Sequence, residues 1–130
     1  MTFRFRLDSL AKLDGFVAAC LFDVESGMML GVLPSARAPA LERAASRWTA
    51  LLQAERQAGE ALAEPTSRSG EGPAIEELVV RLPDHVHVLR PLGAHQGLCC
   101  ALVLERREAE GEAKLALVRL ELSNFEKSVL

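Results

Sequence analysis

Two segments that are apolar on both alternating faces place the strongest limit on how this chain can fold. They lie in residues 16–23, FVAACLFD, and residues 98–106, LCCALVLER. Successive side chains of a strand point to opposite faces of its sheet, so a strand without a polar face must be covered on both sides. Both segments therefore predict strands of a sheet that carries helices on each face. In the first strand the alternation assigns Phe16, Ala18, Cys20 and Phe22 to one face, and Val17, Ala19 and Leu21 to the other.

A short polar segment, Asp23 to Gly27, separates the first strand from a second apolar segment at residues 28–33. Two carboxylates and a serine beside a glycine raise the question of a catalytic site. A hairpin turn explains every residue, because Gly27 tolerates the positive φ angle that such a turn needs. No histidine is nearby in the sequence, and no Gly-x-Ser-x-Gly motif is present. We therefore predict a turn.

Residues 40–63 form the clearest element, an amphipathic helix with two neighbouring stripes. The wider stripe is predicted to cover the sheet. The second stripe consists of small side chains, and Arg43 and Arg47 continue it. Because a helix that covers only a sheet needs the first stripe alone, the second stripe predicts another helix packed closely alongside. The first stripe contains Leu41, Ala44, Ala45, Trp48, Leu51, Leu52 and Leu62, and the second contains Ala50, Ala54, Ala58 and Ala61.

The rest of the chain supplies further strands and a last helix. Ile75 and Val79 are predicted on one face of the third strand, and Leu78, Val80 and Leu82 nearer the other. The order predicts an α+β fold, a five-stranded antiparallel sheet with the long helix on one face and the terminal helices on the other. The predicted elements are a short helix at 8–13, loops at 34–39 and 64–73, strands at 74–82, 85–92 and 98–106, a polar connection at 108–112 and a helix at 113–129.

Composition excludes several classes of function. A chain of 130 residues has the size of one domain, so residues 1–130 are predicted to form a single domain. A net charge of −3 with no basic face argues against nucleic-acid binding. No apolar run approaches the roughly 18 residues that a transmembrane helix needs. The chain has no Gly-x-x-x-x-Gly-Lys-Ser/Thr motif, so it is not itself predicted to hydrolyse a nucleotide.

The three cysteines, Cys20, Cys99 and Cys100, lie inside apolar segments. Their odd number and the adjacent pair argue against a disulfide framework, and buried thiols fit a reducing cytoplasm. Neighbouring residues of a strand point to opposite faces, so Cys99 and Cys100 cannot pair simply with each other. Core packing is the favoured interpretation.

The histidines raise the possibility of a metal site. His85 and His87 share one face of a strand, and His95, Cys99 or Cys100 could supply a third ligand. The spacing is not specific, because neither Cys-x-x-Cys nor His-x-x-x-His is present. We predict no metal and no cofactor, and favour histidines that face solvent or a partner.

The order and spacing of these elements resemble the roadblock/dynein light-chain family, which has a profilin-like architecture. The resemblance covers nearly the whole chain, although the first helix is short and a loop rich in Gly, Pro and Ser precedes the third strand. The matching parts are LDGFVAACLFDVESGMMLG, the helix at 40–62, IEELVVRLPDHVHVLRPL, GLCCALVLER and LALVRLEL.

The resemblance implies a dimer in which the long helix and the third strand of each protomer pair, so that the sheet continues across both. It also implies binding to small Ras-like GTPases, or a scaffold for GTPase regulators and motor subunits. Stand-alone members of bacteria and archaea are associated with small GTPases of polarity and motility systems. The stripe of alanines suits such a seam, and strand 74–82 would then be an edge strand that dimerisation covers.

The resulting prediction is a cytoplasmic, non-enzymatic homodimer that binds or regulates a small Ras-like GTPase or scaffolds a regulatory complex. One alternative is a sensor that binds a small molecule, which would need polar groups converging in an apolar pocket. Another is a metal-dependent enzyme built on the histidines. The predicted interface contains Arg43, Arg47, Ala50, Ala54, Ala58, Ala61, Ile75, Glu77, Val79 and Arg81.

Overall fold

A computed structural model describes residues 7–63, 74–93, 97–109 and 111–129. It confirms the predicted α+β class, with five strands in one antiparallel sheet of order β2-β1-β5-β4-β3. The predicted loop at 64–73 and His95 lie outside the described residues. The strands are β1 (Phe16–Asp23), β2 (Met29–Leu33), β3 (Leu78–Arg81), β4 (His85–Pro91) and β5 (Leu98–Glu105), and the helices are α1 (Ala38–Leu62), α2 (Arg106–Ala109) and α3 (Glu112–Val129).

Strands β1 and β5 pair with each other in the interior of the sheet, and both are buried on their two faces. One face packs against α1 and the other against α3 and residues 7–13, so the described residues form two separate cores. Cys99 belongs to the core beneath α1 and Cys100 to the core beneath α3, as strand alternation predicts. The absence of a polar face in these two strands is thus explained by the layers that cover them.

The alternation of β1 fails at its first residues. The register with β5 shifts between Phe16 and Ala18. Phe16 therefore packs with the core beneath α3, and Val17 packs with the core beneath α1. The faces predicted for these two residues are wrong, because an irregularity in strand pairing reverses the side on which the following residues lie.

The segment from Asp23 to Gly27 is a hairpin turn, as predicted. The Asp23 carboxylate accepts hydrogen bonds from the backbone N–H groups of Glu25 and Ser26, at 2.8 and 3.1 Å. Hydrogen bonds from the N–H groups of Ser26 and Glu25 lower the pKa of Asp23. Gly27 has a φ angle of 76°, and a Cβ atom there would lie 3.6 Å from Ser46 Cα. The tip of the hairpin therefore rests against α1.

Helix α1 begins at Ala38, inside the segment predicted to be a loop, and a short 3-10 helix at Ser35–Arg37 precedes it. Pro39 lies in its first turn, where a missing backbone N–H costs nothing. Trp48 packs against the ring of Phe22, with the centroids 6.0 Å apart. The side that faces the sheet buries Leu41, Ala45, Trp48, Thr49 and Leu52.

The predicted burial of Leu51 and Leu62 is wrong. Leu51 is 36% exposed and Leu62 is 84% exposed. The stripe of α1 that touches the sheet is narrower than the apolar face of the helix. Two large apolar side chains are therefore left at the surface.

The third strand is shorter than the predicted range of 74–82. Pairing with β4 extends only from Leu78 to Arg81. Ile75 packs with the core beneath α1, whereas Val79 packs with the core beneath α3. Their predicted placement on one face is wrong, because residues 74–77 lie outside the strand and do not continue its alternation.

Helix α3 buries Leu115, Val118, Leu122, Phe125 and Val129, which confirms the predicted helical spacing. It begins at Glu112, one residue before the predicted start. The segment before it, predicted only as a polar connection at 108–112, overlaps the short helix α2 at Arg106–Ala109. At the other end of the chain, the predicted helix at 8–13 reduces to a 3-10 turn at Leu10–Lys12.

Candidate interaction site

Strand β3 forms one edge of the sheet, which confirms its predicted place. One flank of α1, at Ser46 and Thr49, lies against the hairpin between β1 and β2. Glu55 and Gly59 lie on the opposite flank, where a cleft of about 450 Å³ lies between them and residues 74–78, so this flank faces the edge at which β3 ends the sheet. At about 100° per residue, Leu51 and Leu62 lie on the same flank, and the stripe of alanines lies beside it on the side of α1 turned away from the sheet. We call this flank, the alanines and β3 together the seam.

The seam exposes apolar and small side chains. Ala50, Ala54, Ala58 and Ala61 are all exposed. Leu51, Leu62 and Leu82 add three of the large apolar side chains that the molecule leaves in solvent, and Leu82 is 39% exposed. Large exposed apolar patches on proteins often mark the sites at which another molecule binds. The leucines were not among the predicted site residues, although their size and spacing in the sequence were visible.

Two exposed cations border the seam on α1. Arg43 and Arg47 lie in solvent, as predicted. Within the described part of the chain neither makes an ion pair. Their guanidinium groups are therefore available for a carboxylate on a partner.

The side chains of β3 divide between the two faces of the sheet. Val80 pairs with His87 and then Val103, which lies in the core beneath α1. Arg81 pairs with Val86, which lies in the core beneath α3. The face of β3 that continues the α1 side is therefore apolar, and the other face carries Val79 and the exposed Arg81.

Glu77 points away from the seam. Its carboxylate accepts hydrogen bonds from Nε of Arg119 at 3.0 and 3.1 Å, and from an Nη atom of Arg119 at 2.9 Å. The side chain of Glu77 is only 22% exposed. This two-pronged ion pair fastens the segment before β3 to α3. The structure thus separates Glu77 from the predicted interface residues on α1.

A second cleft, of about 490 Å³, lies between residues 74–77, the end of β4 and α3. Arg90 Nε lies 3.1 Å from a carboxylate oxygen of Glu126, whose other oxygen accepts a hydrogen bond from Gly93 N at 3.2 Å. Four of the charged side chains around this cleft thus bind one another in two pairs, Arg90 with Glu126 and Arg119 with Glu77. Every buried side-chain nitrogen and oxygen in the described ranges has a hydrogen-bond partner. Those residues therefore contain no unpaired buried polar side chain that could bind the small-molecule ligand of a sensor.

The side chains of His87 and of the three cysteines are engaged in packing. The rings of Trp48 and His87 meet nearly at right angles, with their centroids 5.4 Å apart. Burial, and to a smaller extent the neighbouring His85, lower the pKa of His87. Burial raises the pKa of Cys20 to about 12 and also raises the pKa values of Cys99 and Cys100. These thiols are poor nucleophiles and poor metal ligands in this environment.

The described ranges contain no group of three or more His, Cys, Asp or Glu side chains placed to hold a metal ion. None of the helices in those ranges is both long enough and apolar enough to span a bilayer.

Comparison with known proteins finds no matching family model and no matching curated sequence. Solved structures do match. A Roadblock/LC7 domain from Streptomyces avermitilis has a TM-score of 0.75 at 20% identity, covering 99% of this chain and 95% of that one. The gliding protein MglB from Thermus thermophilus has a TM-score of 0.69 at 18% identity, covering 94% and 81%. An MglB structure with a tetrameric arrangement has a TM-score of 0.70 at 17% identity, covering 95% and 82%. The chain therefore has the roadblock fold.

Proposed function

We propose that this chain, which has the roadblock fold, is a non-enzymatic interaction module that forms a homodimer through the seam. In this proposal residues 1–130 act as a single cytoplasmic domain. The dimer binds or regulates a small Ras-like GTPase, or scaffolds a regulatory complex. The observation that carries the proposal is the position of the open β3 edge beside an α1 flank of small residues and exposed leucines.

The dimer follows from what the seam leaves unsatisfied. An edge strand presents backbone N–H and C=O groups that can pair with another strand. Small side chains on a helix allow a second helix to approach closely, and the exposed leucines supply apolar area to bury. A second copy meets both needs at once, because two-fold symmetry brings the same edge and the same flank together. The tetrameric arrangement of an MglB of the same fold supports self-association in general.

The GTPase partner is supported by two further points. The family that the sequence resembles binds small Ras-like GTPases, and a gliding protein, MglB, shares the fold. Arg43 and Arg47 stand exposed beside the seam, so a dimer would present two pairs of cations to an acidic surface. Such a dimer would act by holding the switch regions of the GTPase and would not supply a reacting group.

The first test is the solution mass by light scattering. We expect wild type to be a dimer, and Ala54→Glu to be a monomer because it would bring two carboxylates into the seam. Gln53→Glu is the matched control, since it adds the same charge on the polar side of α1 and should leave the mass unchanged. A monomeric wild type at high concentration, or a dimer that survives Ala54→Glu, would remove the seam from the proposal.

The same variants test the partner. Wild-type protein immobilised on beads is incubated with cell lysate that contains either a non-hydrolysable GTP analogue or GDP. We expect a Ras-like GTPase, identified by mass spectrometry, to be retained in a nucleotide-dependent way. The double variant Arg43→Glu/Arg47→Glu should lose it without losing the dimer. If the amount of GTPase retained depends neither on the nucleotide nor on the two arginines, this result would count against regulation of a GTPase.

A further inference from the structure

The proposed dimer pairs β3 with the β3 of a second copy, and the structure limits how those strands can be aligned. Two antiparallel neighbours in one sheet are related by a two-fold axis perpendicular to it. Rotation about such an axis does not exchange the two faces of the sheet. The side chains of two directly opposite residues must therefore point to the same face. The axis must therefore pass beside a residue of β3, and each choice of that residue gives a different set of opposite pairs.

Two alignments conflict with the side chains present. With the axis at Arg81, the two Arg81 side chains would lie directly opposite each other, and like charges in that position are destabilising. With the axis at Leu78, residues 75–77 would have to join the sheet, but they lie outside β3 and Glu77 is held on α3 by Arg119.

A third alignment, with the axis at Val79, would form one new ion pair and break an existing one. It would place Glu77 opposite the partner's Arg81, and these charges are complementary. Glu77 would have to leave Arg119, with which it already makes a two-pronged ion pair at 2.9 to 3.1 Å. Leu82 would lie beyond the paired residues and would stay exposed.

The remaining alignment, with the axis at Val80, adds only Leu82 to the paired residues. Leu82 directly follows β3, and its N–H already donates to the carbonyl of His85 on the β4 side at 2.8 Å, so it lies in line with the strand. The two Val80 side chains would meet on the apolar face beneath the two α1 helices. Leu78 would lie opposite the partner's Leu82, which covers a leucine that is 39% exposed in the single chain. Val79 would lie opposite the partner's Arg81 on the other face, and Glu77 would keep its bond to Arg119.

We infer that two copies of this chain join with Val80 on the two-fold axis. This inference rests on the proposed homodimer and adds to it the register of the paired strands. The ion pair between Glu77 and Arg119 then has a role in recognition, because it excludes residues 74–77 from the sheet and so removes the alternative register.

Cysteine cross-linking tests the register. The native thiols are buried and have raised pKa values, so an introduced cysteine is the one that reacts quickly. Val80→Cys and Val79→Cys are oxidised with diamide, and dimers are counted on a non-reducing gel. We expect Val80→Cys to link at least tenfold faster, because the Val79 side chains would be diagonal neighbours about 7–8 Å apart. As a second measurement, a mixture of Leu78→Cys and Leu82→Cys chains should form the mixed disulfide.

The outcomes separate the register from the dimer. Light scattering on the same samples reports whether they associate. A dimer in which Val79→Cys links faster would overturn the register and leave the proposed dimer standing. A dimer in which no β3 cysteine links, and the mixed pair also fails, would place the contact elsewhere and overturn both. A monomer would refute the dimer, and the register with it.

Discussion

Helices α1 and α3 cover opposite faces of one sheet, but they are held there by different interactions. Helix α3 packs a row of apolar side chains and is also fastened by ion pairs from Lys114 to Asp14, from Arg119 to Glu77 and from Glu126 to Arg90. Across the described ranges, α1 makes no ion pair with the rest of the chain. It is held by packing around Trp48 and by the neighbouring hairpin.

This difference shows on which face of the sheet the charged surface groups find their partners within the same chain. The charged groups of α3 find partners on the same molecule, and those partners fix the segment that leads into β3. On the outer side of α1, Arg43 and Arg47 make no ion pair among the described residues, and Leu62 stays 84% exposed. A helix whose surface groups are left unused by its own fold is the natural place for another molecule to bind.

Substitutions that remove packing should have the largest effects on the free energy of unfolding, and the effects should be similar on the two faces of the sheet. Trp48→Ala and Phe125→Ala each remove a buried aromatic ring, one beneath α1 and one in α3, and we expect each to lower the free energy of unfolding by about 3–5 kcal/mol. Urea unfolding followed by circular dichroism measures both without relying on tryptophan fluorescence. A much smaller loss for Trp48→Ala would mean that packing does not hold α1 in place.

The ion pairs should give an intermediate effect that is confined to α3. Glu126→Gln removes the charge that faces the partly buried Arg90 and weakens the bond to Gly93, so we expect a loss of about 1–2 kcal/mol. Arg56→Gln on α1 is the matched control. Arg56 is exposed and makes no ion pair among the described residues, so its loss should be within about 0.5 kcal/mol. Equal losses at the two positions would erase the distinction between the helices.

The smallest effect should be the pH dependence of stability that comes from His87, on the α1 face of the sheet. His87 lies under Trp48 with a lowered pKa, so the unfolded chain binds a proton at a higher pH than the folded chain does. Stability is therefore complete above the ordinary histidine pKa of about 6.5 and falls as the pH drops from there to the lower folded value. We expect His87→Gln to flatten this part of a stability profile between about pH 8 and pH 5.

His85→Gln is the control for this titration. Burial is the larger cause of the shift at His87, and the charge of His85 is the smaller one. Most of the pH dependence should therefore survive in His85→Gln. Its complete loss would assign the effect to the pair of histidines and not to the packing beneath α1.

The sequence was sufficient for features set by local pattern. The doubly apolar β1 and β5 required covering on both sides, Gly27 required a turn, and the spacing of Leu115 to Val129 required a helix. It was insufficient where a distant contact decides the outcome. Residues 74–77 were predicted as strand, but they lie outside β3, where Glu77 binds Arg119, 42 residues away. Leu51 read as buried because periodicity cannot show how wide a stripe the sheet will cover.

The candidate site divides in the same way. The stripe of alanines was visible in the pattern of the sequence, and the edge position of β3 was implied by the family resemblance. The assignment of Glu77 to α3 and the opposite orientations of Ile75 and Val79 needed the folded chain. The partner on the other side of the seam contributes contacts that no single chain contains, so neither the sequence nor the fold of one copy could specify it.

The strand order has a consequence for the size of any assembly. Strand β3 is one end of the sheet and β2 is the other. A contact between two β3 strands uses the same surface on both chains, so it is complete once two chains have met. The joined sheet would then begin and end with β2, whose residues are all half-buried. Growth by this contact would terminate at a pair, whereas a contact between β3 of one chain and β2 of the next would propagate into a fibre.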